Sequence, residues 1–402
     1  MKRLANLLRS MGVLLAGLVL LSGCGGGDGT STGTLRLSIT DQPTCGYDKV
    51  FITVEQVRVH QSGDALDADS GWHQIVLVPA RRIDLLTLTN GVLEELGQTA
   101  LPAGKYTQMR LVLADNRITP LANAVVPTGG SEVELTTPSG QQTGLKMNVD
   151  ITVEPDKVAD FVIDFDACKS VVKAGASGQF LLKPVVSVIP LLSDAGQRIV
   201  GYLDTGTLGA ATQVSAQIGG IVVKATPPDA TSGQFVLYPV PPGSYDLVVT
   251  SSGRATAVMT GVPVVTTAYT RVGSDSVRIA LSGSTTHNAT GTVMLNGSPV
   301  DTAATVRALQ TPHNGPTVEV ASMPVNASTG AYGFVLPTGA PQMTAYSANP
   351  IAVIFAADSA DPALSAAGKY TLEASIAGLA PQTAAINLSG SSVVTNFSFT
   401  AP

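Results

Sequence analysis

Four histidines, two groups of aspartates, three cysteines and a single tryptophan carry most of the reactive side chains in this 402-residue sequence. His60, His73, His287 and His313 show neither an i, i+4 pair nor a His-Glu-x-x-His phrase, so the spacing of a helical zinc site is missing. His60 and His73 can approach only across a hairpin; two imidazoles alone make a poor site, and both read as solvent-facing strand residues. Asp41 and Asp48 flank Cys45, while Asp164 and Asp166 precede Cys168 on one strand face. Hard carboxylate oxygens of this kind suit calcium, which takes about six to eight ligands. Asp64, Asp67, Asp69 and Gly71 loosely echo a calcium loop, without its third ligand position or its distal glutamate. Aspartates at strand ends also cap turns and accept backbone N–H bonds, which is the stronger reading of both groups. No cofactor is expected, with calcium as the one candidate. Trp72 beside His73 is the one aromatic platform for a sugar, and packing inside its own hairpin is the competing reading. There is no Gly-x-Ser-x-Gly elbow, and the glycine-rich stretches follow neither Rossmann nor Walker spacing. Paired acids for glycoside hydrolysis can be distant in sequence, but nothing singles out a pair. A catalytic role is not expected.

The elements that must position these residues are strands. Leu35, Leu37 and Ile39 alternate with polar neighbours, as do Leu145, Met147, Val149, Ile151 and Val153, and as do Phe161, Ile163 and Phe165. A period of two over such lengths predicts sheets with one buried and one wet face. The parity flips between Val50, Ile52, Val54 and Val57, Val59, which predicts a β-bulge near Glu55 or Gln56. One short helix is expected, capped by Asn90 with Val92, Leu93 and Leu96 on its inner side and Glu94 and Glu95 in its opening turns.

Two phrases recur. Ser177-Gly-Gln-Phe-Leu-Leu-Lys-Pro-Val185 is echoed by Ser232-Gly-Gln-Phe-Val-Leu-Tyr-Pro-Val240 and, more loosely, by Thr329-Gly-Ala-Tyr-Gly-Phe-Val-Leu-Pro337. Leu101-Pro-Ala-Gly-Lys-Tyr106 returns as Val240-Pro-Pro-Gly-Ser-Tyr245 and Ala366-Ala-Gly-Lys-Tyr370, which predicts a type II turn whose glycine takes positive φ. The expected fold is all-β, with tandem β-sandwich domains over residues 34–190, 196–283 and 284–402. Polar Ser284 to Asn288 is read as the last linker.

The N-terminus fixes the address. Lys2, Arg3 and Arg9 precede an apolar or small-residue run from Met11 to Leu21, long enough for a signal peptide and too short for a membrane span. Leu21-Ser22-Gly23-Cys24 resembles the lipobox of bacterial lipoproteins. That resemblance implies removal of residues 1–23, a lipid on Cys24, and a tether over 24–33 that is rich in glycine. Two or three acyl chains make a durable anchor at about 0.8 kcal/mol per buried CH₂. Gly25 after the cysteine is compatible, by resemblance to lipoprotein sorting in Gram-negative bacteria, with the outer membrane. Cys45 and Cys168 are then the remaining cysteines, and in an oxidising compartment they read first as a disulfide, with two buried free thiols as the other reading. Such a bridge would contribute about 4–5 kcal/mol in the chain-entropy model. The net charge of −6 and the sparse Lys and Arg exclude a basic patch for nucleic acid.

Within 34–190, Ser38-Ile-Thr-Asp41, Val54-Glu-Gln-Val-Arg-Val-His60, Asp67-Ala-Asp-Ser-Gly-Trp72, Ile83-Asp-Leu-Leu86, Leu88-Thr-Asn-Gly91, Leu101-Pro-Ala-Gly-Lys-Tyr106, Phe165-Asp-Ala167 and Leu182-Lys-Pro-Val185 resemble a bacterial domain family of unknown function, DUF4382. The resemblance implies a β-sandwich on an envelope lipoprotein and no known reaction. In 196–283, Gly201-Tyr-Leu-Asp204, Ile221-Val-Val-Lys-Ala225 and the Gly-x-Phe and Pro-Pro-Gly-x-Tyr phrases resemble carboxypeptidase regulatory-like modules of transthyretin-like topology. Gly291-Thr-Val-Met-Leu295 opens a divergent second copy, in which a long insertion separates Pro337 from Tyr370. These resemblances imply spacer or binding modules. The expected function is a non-catalytic structural or interaction protein of the cell envelope, held to the membrane through Cys24 and meeting an envelope protein. The alternative is a surface lipoprotein that binds a glycan or another ligand.

Overall fold

A computed structural model of the chain describes residues 31–42, 46–116, 120–138, 140, 143–174, 178–300, 304–348, 350 and 352–401. Residues 1–30, with Cys24, and Cys45 lie outside the described residues. Almost every element is a strand, as the alternation predicts.

The first sandwich is built from β1 (Thr32–Asp41), β2 (Tyr47–His60), β3 (His73–Asp84), β4 (Glu94–Pro102), β5 (Gly104–Leu113), β6 (Ala124–Pro127), β7 (Val133–Thr136), β8 (Leu145–Val153), β9 (Val158–Phe165), the short helix α1 (Ala167–Ser170), β10 (Val171–Ala174), β11 (Gln179–Leu182) and β12 (Val186–Pro190). One sheet runs β12-β9-β1-β4; the other runs β10-β11-β7-β6-β2-β5-β8, with β3 also on β2. Leu145, Met147, Ile151 and Val153 point inward while Lys146, Asn148, Asp150 and Thr152 are exposed, the pattern a half-wet strand requires. The bulge is present: pairing of β2 with both β3 and β5 shifts register between Val54 and Gln56, so Val50, Ile52, Val54, Val57 and Val59 all reach the core.

The expected helix from Asn90 to Leu96 is absent. Asn90, Gly91 and Gly97 take φ of 57°, 84° and 133°, outside any right-handed helix, and the chain enters β4 at Glu94, where β1 offers an antiparallel ladder. Helical geometry appears at α1 instead, where the Asp166 side chain accepts the Lys169 N–H as an N-cap.

The second sandwich contains β13 (Ile199–Tyr202), β14 (Gln213–Ile218), β15 (Ile221–Thr226), β16 (Gln234–Leu237), β17 (Gly243–Thr250), β18 (Ala257–Val264) and β19 (Thr270–Val272). The third contains β20 (Thr286–Leu295), β21 (Ser298–Pro299), β22 (Ala304–Gln310), β23 (Val318–Pro324), β24 (Ala331–Pro337), β25 (Gln342–Ala345), β26 (Ala356–Ala357), β27 (Lys369–Ile376), β28 (Gln382–Asn387), β29 (Val393–Val394) and β30 (Phe397–Phe399). They share one plan. The order β16-β13-β19 in one matches β24-β20-β30 in the other, and β15-β14-β17-β18 matches β23-β22-β27-β28. In both, the last strand returns parallel to the first. The repeated phrases fall on equivalent turns: Gly233 and Gly330 sit at φ 72° and 68°, and a Cβ there would lie 2.1 Å from the Leu203 carbonyl oxygen or 2.5 Å from that of Val293.

The Pro/Ala-Gly-x-Tyr phrase does not form the uniform type II turn expected. Gly368 has φ 66°, but Gly104 is at 153° and Gly243 is not among the positive-φ glycines. What recurs is a tyrosine hydroxyl that folds back on a proline carbonyl: Tyr106 to Pro102 at 3.0 Å, Tyr245 to Pro241 at 2.6 Å, and Tyr370 to Pro337 at 2.6 Å. Gly243 gives that ring room, since a Cβ would stand 3.3 Å from the Tyr245 ring.

Two further segments differ from expectation. Thr286 to Asn288 is not a linker but the start of β20, where the ladder to β24 satisfies the backbone without needing apolar side chains. The insertion between Pro337 and Tyr370 leaves its own sandwich: β25 pairs parallel with β18, and Tyr346, Val353 and Phe355 pack on the second core.

Candidate functional site

Most of the carboxylates in the two acidic groups bond to other groups of the protein, although Asp41 Oδ2 is buried without a hydrogen-bond partner among the described residues. In the loop before Trp72, Asp67 forms ion pairs with Arg58 and Arg110, and the Asp69 carboxylate accepts the Leu66 N–H at 2.8 Å. The Asp64 N–H is held by Ser62 Oγ at 3.3 Å. Trp72 donates its indole N–H to the Leu66 carbonyl at 2.9 Å, and the Arg58 and Arg110 guanidinium carbons each lie 4.6 Å from its ring centroid. The His60 ring lies 5.1 Å from it. This is the packing of a hairpin. His60 accepts the Ser62 N–H and meets the Ser70 carbonyl, whereas His73 pairs in register with buried Val59 and faces Tyr106. The two rings therefore occupy opposite faces of the sheet. His287 bonds the Leu388 carbonyl, and the His313 backbone N–H bonds Asp358.

The acids near the cysteines do gather, except Asp48, which accepts the Gly129 N–H. Asp41, Asp164 and Asp166 are buried at the end of the β1–β9 pair, where the second and third sandwiches meet the first. Their partners come from all three. Lys224 of β15 reaches Asp164 Oδ1 at 2.6 Å, and Gln42 Nε2 donates to Asp164 Oδ2 at 3.1 Å. Asp41 Oδ1 accepts the Ala167 N–H at 2.9 Å. Lys169 on α1 bridges Asp166 and Glu319 of β23, each at 3.3 Å. Arg307 of β22 continues the chain of alternating charge, to Glu319 at 3.5 Å and Glu373 at 2.8 Å.

Hydrogen bonds to backbone and neutral groups complete the junction. Gln217 of β14 exchanges two bonds with the Glu319 backbone, both 2.8 Å, imitating one rung of a sheet. Arg307 donates to the Gly220 carbonyl at 2.9 Å. Asn90, whose left-handed backbone displaced the expected helix, accepts the Val236 N–H at 2.6 Å and donates its own N–H to Thr226 Oγ1 at 2.7 Å. A cleft of about 280 Å³ runs through this junction, lined among others by Gln42, Asp166, Cys168, Lys169, Ser251 and Glu319.

Burial dominates the electrostatics. It raises the Asp41 carboxyl well above the usual range, and neighbouring Asp166 and Asp164 add to this while the Ala167 N–H opposes it. Burial also raises Asp164 against the pull of Lys224, and Glu319 against Lys169 and Arg307. For Lys169, burial favours the neutral amine, but Asp166 and Glu319 outweigh it and hold the ammonium. Among the described residues no group of three or more His, Cys, Asp or Glu is arranged to hold a metal.

Lys169, Gln217, Lys224, Arg307 and Glu319 were not legible as site residues. Only Lys224 carried a local signal, a lone charge within the apolar strand Ile221-Val-Val-Lys-Ala225. Cys168 sits in α1; its expected partner, Cys45, lies outside the described residues.

Residues 32–184 match the model of a family described as a domain of unknown function, DUF4382. No curated protein matches the sequence. Among solved structures, similarity is found to a type II cohesin–X–dockerin complex from Acetivibrio cellulolyticus, with 19% identity, 22% of this chain and 59% of that chain covered, and a TM-score of 0.19. It is also found to the Bacillus anthracis TIE protein (12% identity, 92% of this chain and 50% of that chain, TM-score 0.18) and to a streptococcal ancillary pilin (10% identity, 91% and 99%, TM-score 0.17). The chain thus spans 59% and 50% of the first two, and scores of this size establish no shared fold.

Proposed function

We propose that this protein is a membrane-anchored, extracytoplasmic lipoprotein that acts as a non-catalytic structural or interaction module of the bacterial envelope. The reading rests on one observation above others. Buried charges pair across the junction, Lys224 of the second sandwich with Asp164 of the first and Lys169 of the first with Glu319 of the third, so these side chains hold three domains together. The lipobox-like Leu21-Ser22-Gly23-Cys24 supports the anchor, and the common strand plan of the second and third sandwiches supports reading them as tandem transthyretin-like spacers. Lipid on Cys24 would place the assembly at the outer membrane, with a Cys45–Cys168 bridge fastening the first sandwich.

Metabolic labelling with an alkyne fatty acid tests the anchor. The full chain is expected to take label and to fractionate with membranes, and Cys24→Ser to lose both. An unlabelled, freely soluble wild-type chain would end the proposal. Peptide mapping without reduction is expected to recover Cys45 and Cys168 in one linked species. Pull-down of the lipidated protein from its own envelope is expected to bring a stoichiometric protein partner. Trp72-dependent binding on a glycan array would instead favour the ligand-binding alternative.

A further inference from the structure

Lys224 and Asp164 are the most enclosed ion pair among the described residues, with side chains 2% and 0% exposed. They come from different sandwiches, Lys224 from β15 and Asp164 from β9. Holding both charges in such a site costs several kcal/mol per ion. One proton passing from ammonium to carboxylate removes both charges and leaves a neutral amine against a neutral carboxylic acid. Those are a nucleophile and an electrophile, already oriented by the fold. Lys224 Nζ lies 2.6 Å from Asp164 Oδ1, and the Asp41 main-chain oxygen holds it from a second side at 3.5 Å. Gln42 Nε2 donates to the other carboxyl oxygen at 3.1 Å, where negative charge would collect during attack.

We propose that Lys224 and Asp164 condense to an amide, a covalent tie between the first and second sandwiches. The amine lone pair attacks Cγ, forming the N–Cγ bond and sending the carbonyl pair onto Oδ2, where the Gln42 N–H receives it. Collapse of the adduct restores the carbonyl and breaks the Cγ–Oδ1 bond. The surplus proton on nitrogen leaves with Oδ1, the oxygen it already faces, so amine and acid become one amide and one water. No oxidant, nucleotide or metal enters the balance. A cavity of about 310 Å³, lined by Asp164, Gln42, Val186, Ser187 and Val222, adjoins the reacting carboxyl and receives the water. Gln42 and Asp41 act as positioning residues.

Peptide mass spectrometry of the full chain, reduced, denatured and digested with trypsin, tests this independently of the lipid anchor and of any disulfide. The expected product is a branched peptide joining the Lys224 and Asp164 segments, lighter by one water than its linear parts and uncut after Lys224. It should account for most of the Lys224 signal in wild type and for none in Asp164→Ala, and Gln42→Ala should slow its appearance after synthesis. Recovery of both segments wholly as linear peptides from folded wild-type protein overturns the proposal, whatever the variants do.

Discussion

The hydroxyls of Tyr106, Tyr245 and Tyr370 each close on a proline carbonyl, and each phenol is raised above its usual pKa by burial. Tyr245→Phe leaves the Pro241 carbonyl short of a donor and is expected to cost about 1 kcal/mol in denaturant unfolding. Gly233→Ala should cost more, because the new Cβ meets the Leu203 carbonyl at 2.1 Å and the backbone is left-handed. Asp41 gives a pH signature. A carboxyl whose folded pKa is raised contributes stability that is complete below the ordinary carboxylate range and is lost as pH rises through the raised value. Unfolding midpoints should therefore climb as pH falls from neutrality toward that range, whereas the opposing loss from Asp358, whose carboxyl is lowered, sets in only below it. Asp41→Asn should flatten the climb. Added calcium or chelator should leave the midpoint unchanged, since Asp67, Asp69, Asp164 and Asp166 already face protein donors. At this scale the sequence revealed where acids cluster but not what neutralises Asp164, because Lys224 arrives from a strand far along the chain.

At the scale of elements, alternation was informative wherever one sheet face is wet. β8 is the clear case, and the parity flip in β2 located its bulge. It failed at Asn90, where apolar residues at helical spacing follow a residue whose role is to bond the next sandwich. It failed again at β20, whose polar start is held by backbone pairing to β24, by His287 on the Leu388 carbonyl and by Ser392 Oγ, which accepts the Asn288 N–H. The insertion after Pro337 was visible as an interruption, but its destination was not, because β25 pairs with a strand of another sandwich. Phe355, carried by that insertion, packs on the second core. Phe355→Ala is expected to destabilise the second sandwich by about 2 kcal/mol. Hydrogen exchange should show the loss in β18 and leave the first sandwich protected.

Across the whole molecule, Lys169, Glu319 and Arg307 connect the first and third sandwiches by way of α1, β23 and β22. Glu319→Ala leaves Lys169 with Asp166 and Arg307 with Glu373, so each sandwich should still fold. The expected change is looser arrangement: a larger radius of gyration in X-ray scattering and faster proteolysis between residues 191 and 198. The placement of β25 has another consequence, which unfolds in time. Until the ribosome has made residues through Ala345, the outer rim of β18 has no neighbour on that side, and bare strand rims recruit one another. A nascent chain halted near Pro341 should therefore sediment as clumps where the finished one does not, making the latest-made segments guardians of those made before them.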